Sequence, residues 1–102
     1  MSNDKTNEKR KIKPMKIAGC IFRKSEIREY TKTSFVAHYK KREFYITSNQ
    51  GYGKAKEPGK TRFYLSVMGD DGIYDVDYYD DFNNIEEAIE EALKGACLTE
   101  DH

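Results

Sequence analysis

The chain is poor in cysteine, in histidine and in long apolar runs, and each shortage removes a class of protein. Its two cysteines, Cys20 and Cys97, stand far apart with no CxxC and no Cys/His cluster. That excludes a disulfide-dense scaffold and an ordinary zinc finger. In a chain with no export signal the pair reads as buried, unreactive thiols. The two histidines are His38 and the terminal His102, and neither stands in an HxH or HExxH arrangement. His38, on a strand, reads as a surface or structural residue. In the first thirty residues the longest stretch without a charge runs from Ile17 to Phe22, far short of the roughly 20 apolar residues of a membrane span. The opening MSNDKTNEKRKIK is charged with no apolar segment behind it. No secretory signal is therefore expected, and the expected location is cytoplasmic.

What is present is charge and aromatic bulk. The 102 residues are 35% charged, 37% hydrophobic and 13% aromatic, which suits one small domain and is too little for two. The formal net charge of zero conceals a strong asymmetry. Residues 1–69 hold 17 of the 18 Lys and Arg with six acids, while residues 70–102 hold the other twelve acids and only Lys94. Two opposed surface potentials could follow, each able to steer a partner or a second copy of the chain. Adjacent strands in one sheet would instead interleave the two halves and neutralise them.

Residues 1–13 carry too little apolar surface to offset their ordering entropy and are expected to form a disordered basic tail. A single domain is expected over 14–98, with fraying over 99–102. Residues 15–22 read as a first strand with Gly19 marking a bulge, and residues 24–33 read as a loop or edge segment. Residues 34–40 and 43–48 are β-branched and aromatic runs around a charged turn at Lys41 and Arg42, a hairpin. Residues 49–60, NQGYGKAKEPGK, form a loop. Residues 61–68 and 73–79 make a second hairpin about a two-residue Asp70-Asp71 turn. That turn pairs Met68 with Ile73, Val67 with Tyr74, Leu65 with Val76 and Phe63 with Tyr78, and on the polar face Ser66 with Asp75, Tyr64 with Asp77 and Arg62 with Tyr79. Residues 84–94 form a helix capped by Asn84, with Glu87 completing a variant capping box and Gly95 ending it. Its apolar stripe is Ile85, Ala88, Ile89, Ala92 and Leu93. The expected fold is α+β: an antiparallel meander of four or five strands with one C-terminal helix packed on one face.

No nucleophile–base pair, metal-ligand spacing or phosphate loop is present, so no catalytic residue, cofactor or metal is assigned and the protein is expected to act by binding. Asp75 and Asp77, with Asp70, Asp71, Asp80 and Asp81 nearby, do not match an EF-hand loop and read as a solvated acidic face. Gly51-Tyr52-Gly53-Lys54 is followed by a strand and so lacks the helix of a phosphate cradle.

Two binding surfaces remain. One is acidic: Asp70, Asp71, Asp75, Asp77, Asp80, Asp81, Glu86, Glu87, Glu90 and Glu91, standing in for phosphates against a basic protein partner, a nucleic-acid-binding one included. So many carboxylates are not required for folding, because Lys or Gln at the helix positions would be as helical. The other is basic and aromatic: Lys40, Lys41, Arg42, Tyr45, Lys54, Lys56, Lys60, Arg62 and Tyr64, with Tyr45, Arg62 and Tyr64 facing outward to stack bases and meet phosphates of a nucleic acid. The acidic surface is the preferred reading.

Strands followed by a helix resemble, in outline, the three-strand-plus-helix DNA-binding domains of some phage-type integrases. Those domains imply DNA binding by a basic hairpin, whereas Asp75, Asp77, Asp80 and Asp81 make this one acidic. The small size, dense charge and acidic helix are similar in style to inhibitor proteins encoded by phages and mobile elements.

Overall fold

Alternating apolar residues dictate most of the architecture, because a strand that turns every second side chain to one face needs a partner layer to cover it. A computed structural model describes residues 14–48 and 53–98. The expected tail over 1–13, the start of the 49–60 loop and the fraying end over 99–102 lie outside the described residues.

Two short strands, β1 (Met15–Ile17) and β2 (Cys20–Phe22), form a hairpin of their own. The single strand expected over 15–22 is thus broken at Ala18 and Gly19, which both take positive φ (54° and 84°). Two such residues make a tight hairpin turn that follows the strand twist. A 3-10 turn over Lys24–Glu26 leads into β3 (Ile27–Tyr30), the edge-strand alternative for residues 24–33. Then come β4 (Ser34–Tyr39), β5 (Arg42–Thr47), β6 (Thr61–Met68) and β7 (Tyr74–Phe82), and strands β3 to β7 pair in chain order as one antiparallel sheet. The β4–β5 turn is Lys40-Lys41, at φ 52° and 68°. It falls one residue earlier than expected, and Arg42 lies in β5 opposite Tyr39.

The β6–β7 hairpin keeps its expected faces over most of its length but not its register. Leu65 lies opposite Tyr78, Phe63 opposite Asp80, Ser66 opposite Asp77, Tyr64 opposite Tyr79 and Arg62 opposite Asp81. Two features shift each partner by two positions. The turn is longer than Asp70-Asp71, closed by the Gly69 N–H donating to the Ile73 carbonyl at 2.8 Å. Ladder pairs Val67–Val76 and Met68–Tyr74 then leave Asp75 as an extra residue, a β-bulge. A shift of two preserves facing, so Val76 still points to the core. Ile73 and Tyr74, expected in the apolar layer, are instead exposed at the hairpin tip (66% and 52%).

Helix α1 (Ile85–Gly95) buries the predicted stripe of Ile85, Ala88, Ile89, Ala92 and Leu93 against one sheet face. That face supplies Phe35, Ala37, Phe44, Ile46, Phe63, Leu65 and Val67, all buried. Burying side chains such as Leu93 or Ile89 contributes about 1.5–3 kcal/mol each. From the β1–β2 hairpin, Phe22 enters the same core and meets Phe35 edge-on at 5.3 Å and Tyr39 at 4.3 Å between ring centroids.

Asn84 caps the helix as expected, accepting from the Glu87 N–H at 3.0 Å. The Glu87 carboxylate reaches back one residue further than in a standard capping box, to the Asn83 N–H at 3.0 Å. Gly95 does not end the helix by a left-handed turn. That conformation belongs to Cys97, at φ 60°. Its N–H donates to the Lys94 carbonyl at 3.0 Å while the Leu98 N–H donates to the Leu93 carbonyl at 2.9 Å, the bond pair of a Schellman motif.

Candidate functional site

Among the described residues, the helix and the β1–β2 hairpin cover one face of the sheet and leave the other open. Alternation along β7 sends Asp77, Tyr79 and Asp81 to the open face with Tyr45, Arg62, Tyr64 and Ser66. Val76, Tyr78 and Asp80 go to the helix side. The acidic candidates therefore wrap around the β7 edge instead of sharing one plane.

Many of these carboxylates already have partners. Asp75 accepts from Arg42 Nε at 2.8 Å, a bond that raises the Arg42 pKa above its ordinary value. Asp77 accepts from the Tyr64 hydroxyl, and this bond, more than burial, raises the Tyr64 pKa. Asp71 accepts from the Ile73 N–H at 3.0 Å within the turn. Asp80 accepts from the Asp81 N–H at 2.8 Å.

Asp81 is the most enclosed carboxylate, with its side chain 7% exposed. Its Oδ2 takes the Lys56 N–H at 2.7 Å and the Glu57 N–H at 3.3 Å, which ties the 53–60 segment to β7. Its Oδ1 has no hydrogen bond but stands 3.5 Å from Arg62 Nε.

On the helix, Glu87 is held below its ordinary pKa by its hydrogen bonds from Asn83. Glu91 accepts from the Tyr78 hydroxyl at 3.2 Å. Burial first and the Glu91 charge second push the Tyr78 pKa up to about 12. Asp70, Glu86 and Glu90 make no side-chain hydrogen bond or ion pair among the described residues.

The basic candidates are divided between the two ends of the sheet. Lys40 and Lys41 form the β4–β5 turn, with Lys40 Nζ 5.6 Å from the Tyr39 ring centroid. Lys54, Lys56 and Lys60 lie at the other end, where Lys60 pairs with Glu57 at 3.0 Å. Between them, Arg28, Arg42 and Arg62 each face a carboxylate: Glu43 at 2.7 Å, Asp75 at 2.8 Å and Asp81 at 3.5 Å. On the open face Arg62 of β6 meets Asp81 of β7, while Arg42, on the helix side of β5 with Phe44 and Ile46, reaches Asp75; strands from the two halves of the chain thus interleave opposite charges, the neutralising alternative posed by the sequence. Tyr45 and Tyr64 face outward there as expected, above a shallow hollow also lined by Arg28, Glu43 and Tyr74. His38 stands 3.6 Å from the same Glu43 carboxylate.

A cleft of about 520 Å³ at the loop end is lined by Thr33, Ser48, Lys54, Lys60, Thr61 and Arg62. Its neighbour shares Thr33, Ser48 and Thr61 and extends to Asn84 and Glu86 at the helix start. Among the described residues, no three His, Cys, Asp or Glu side chains are grouped to hold a metal ion, and no helix is long and apolar enough to cross a membrane.

Sequence reasoning put Tyr79 on the polar face but missed the exposure of Tyr74 and Tyr78, which it placed in the apolar layer. Tyr74, Tyr78 and Tyr79 are all exposed beside Asp75, Asp77 and Asp80. The available signal was the density of Asp and Tyr with few aliphatic residues over 74–81, which suits an edge strand with little core to cover. Comparison with family models, with curated proteins and with solved structures finds no match to this chain.

Proposed function

We propose that the protein is a non-catalytic binding module that engages a basic protein through β7 and the adjoining polar side of α1, in the manner of small inhibitors encoded by phages and mobile elements. One observation carries this reading: three exposed tyrosines stand on one strand among exposed aspartates. Tyrosine is the residue of binding hot spots because it buries a large area with little rotamer entropy. Carboxylates around it steer a cationic partner and disfavour an anionic one. Glu86 and Glu90, without partners among the described residues, extend the same field along the helix.

Nucleic acid is the second reading, and the cleft beside Lys54, Lys60 and Arg62 favours it. Against it, phosphates crossing the open face would meet guanidinium groups already paired with Glu43 and Asp81, and the Asp77 carboxylate beside them.

Affinity capture with the full chain at physiological salt tests the choice. Wild-type protein should retain a basic protein, and Asp80→Lys with Glu90→Lys should reduce that capture at least about tenfold, whereas Lys54→Glu with Lys60→Glu should leave it unchanged. Loss of capture in the lysine variants alone, with retention of the wild type on heparin, would make the basic cleft the functional site.

A further inference from the structure

We infer that the cleft at the loop end binds a mononucleotide, with its phosphate held among Lys54, Lys60 and Arg62 and its base in the adjoining cleft. This site lies apart from the acidic surface proposed above and does not depend on it.

Arg62 is largely enclosed, with its side chain 17% exposed, yet Asp81 is its one charged partner among the described residues. Their contact is loose: Nε stands 3.5 Å from Asp81 Oδ1, and that oxygen has no hydrogen bond. Asp81 can serve at most this Nε edge, because its Oδ2 already takes the Lys56 and Glu57 N–H groups. The Nη groups make no hydrogen bond among the described residues. A guanidinium forms its strongest bonds with two oxygens of one anion at once, and an enclosed donor left without an acceptor is costly. Arg62 lines a cleft of about 520 Å³ that opens beside it.

The same cleft collects further cations and hydroxyls. Lys54 has no ion pair among the described residues, and Lys60 pairs with the exposed Glu57 at 3.0 Å. Thr33, Ser48 and Thr61 add hydroxyl groups to the wall. Three cations against Glu57 and Asp81 leave the site positive. Their number suits a phosphate dianion better than the single charge of a carboxylate.

Space and polarity set the rest of the ligand. A phosphate alone occupies a small part of such a cleft, and ligand sites of roughly 300–1,000 Å³ hold larger molecules. The neighbouring cleft, about 580 Å³, is continuous with it through Thr33, Ser48 and Thr61. Tyr30 and Phe63 give that neighbour an aromatic wall, and Asn83 and Asn84 give it amides. Flat, uncharged and able to hydrogen-bond, a nucleobase matches both. Glu86 lines this second cleft and not the first, so it repels a phosphate there and fixes which end enters where. A polynucleotide would have to continue over the open face, where Glu43 and Asp77 oppose its phosphates.

The test is an NMR titration of the isotopically labelled full chain with adenosine 5′-monophosphate, adenosine, inorganic phosphate and a short oligothymidylate. The mononucleotide should shift the Thr33, Ser48 and Thr61 amides and bind at least about tenfold more tightly than adenosine or phosphate alone. Arg62→Lys keeps the charge but loses the fork, and should weaken the mononucleotide at least about tenfold. Lys54→Gln, at an exposed position, should weaken it without disturbing the fold. Absence of any shift at these amides overturns the site. Undiminished binding by both variants does the same. Phosphate binding as tightly as the mononucleotide overturns the assignment of the base, and tighter binding of the oligothymidylate overturns the mononucleotide in favour of nucleic acid.

Discussion

Cys97 holds the left-handed position that closes α1, at φ 60°, where a side chain with a Cβ is strained by about 1–2 kcal/mol. Its thiol is exposed, so removing it forfeits little packing. Cys97→Gly should therefore raise stability by about 0.5–1 kcal/mol after the extra backbone entropy of glycine is subtracted. A lower denaturation midpoint for that variant would refute the strain argument. Two residues earlier the sign reverses. Gly95 lies inside the helix, where alanine is ordinarily better by about 1 kcal/mol. However, a Cβ at Gly95 would come within 2.5 Å of Val76 Cγ2. Gly95→Ala should destabilise by about 1–3 kcal/mol, and the same change in a Val76→Ala background should be neutral or favourable. Equal effects in both backgrounds, measured by urea titration, would show that the close approach is not the reason for this glycine.

Between elements, the bond that joins β7 to α1 is Tyr78 to Glu91 at 3.2 Å. Folding pushes the Tyr78 pKa up to about 12, above the roughly 10 of an unfolded chain. A raised pKa means the native state holds its proton more tightly than the unfolded state does. The contribution is fully present below about pH 10 and is lost as pH rises from there toward 12. Denaturation midpoints should fall over that interval, and Tyr78→Phe should flatten part of the fall. Tyr39, Tyr64 and Lys60, shifted in the same direction, contribute to the fall as well. An unchanged slope in the phenylalanine variant would remove Tyr78 from this account. The β4–β5 and β6–β7 hairpins and the helix were legible at this scale because turn chemistry, alternation and capping are local, whereas the β1–β2 hairpin read as one strand. The register of β6 against β7 was not, because the Asp75 bulge arises from fitting two strands together. For β3, so few apolar residues lie over 24–33 that only the pairing with β4 distinguishes strand from loop.

For the whole molecule, the decisive fact is how one sheet distributes two halves of opposite charge. Strand β6 comes from the basic half and β7 from the acidic half, and they are neighbours. Arg62 therefore meets Asp81, while Arg42 reaches Asp75 from β5. The partly exposed Arg42–Asp75 pair adds little stability, typically below about 1 kcal/mol, and in the enclosed Arg62–Asp81 pair the cost of desolvation offsets much of the Coulomb gain. The larger effect is on the surface, since Arg62 with Asp81 and Arg28 with Glu43 neutralise the open face and leave uncompensated carboxylates on the outer edge of β7 and along α1. A partner approaching from the open face meets tyrosines and paired charges, while one approaching from the edge meets negative charge.

The sequence by itself determined the layer structure: alternating apolar residues in β4, β5 and β6 and the 3.6-residue stripe of α1 specify a sheet covered by a helix. It also determined that Tyr45, Arg62 and Tyr64 face away from that core, because facing follows from parity along a strand. Only the tertiary structure decided which charges meet. Coulomb partners are chosen by register and strand order, so the split that looked like two opposed surfaces became a neutral face bordered by an acidic edge. Only the tertiary structure, likewise, made β7 an edge, since whether a strand has one neighbour or two depends on where the chain stops adding strands and turns to the helix that covers them.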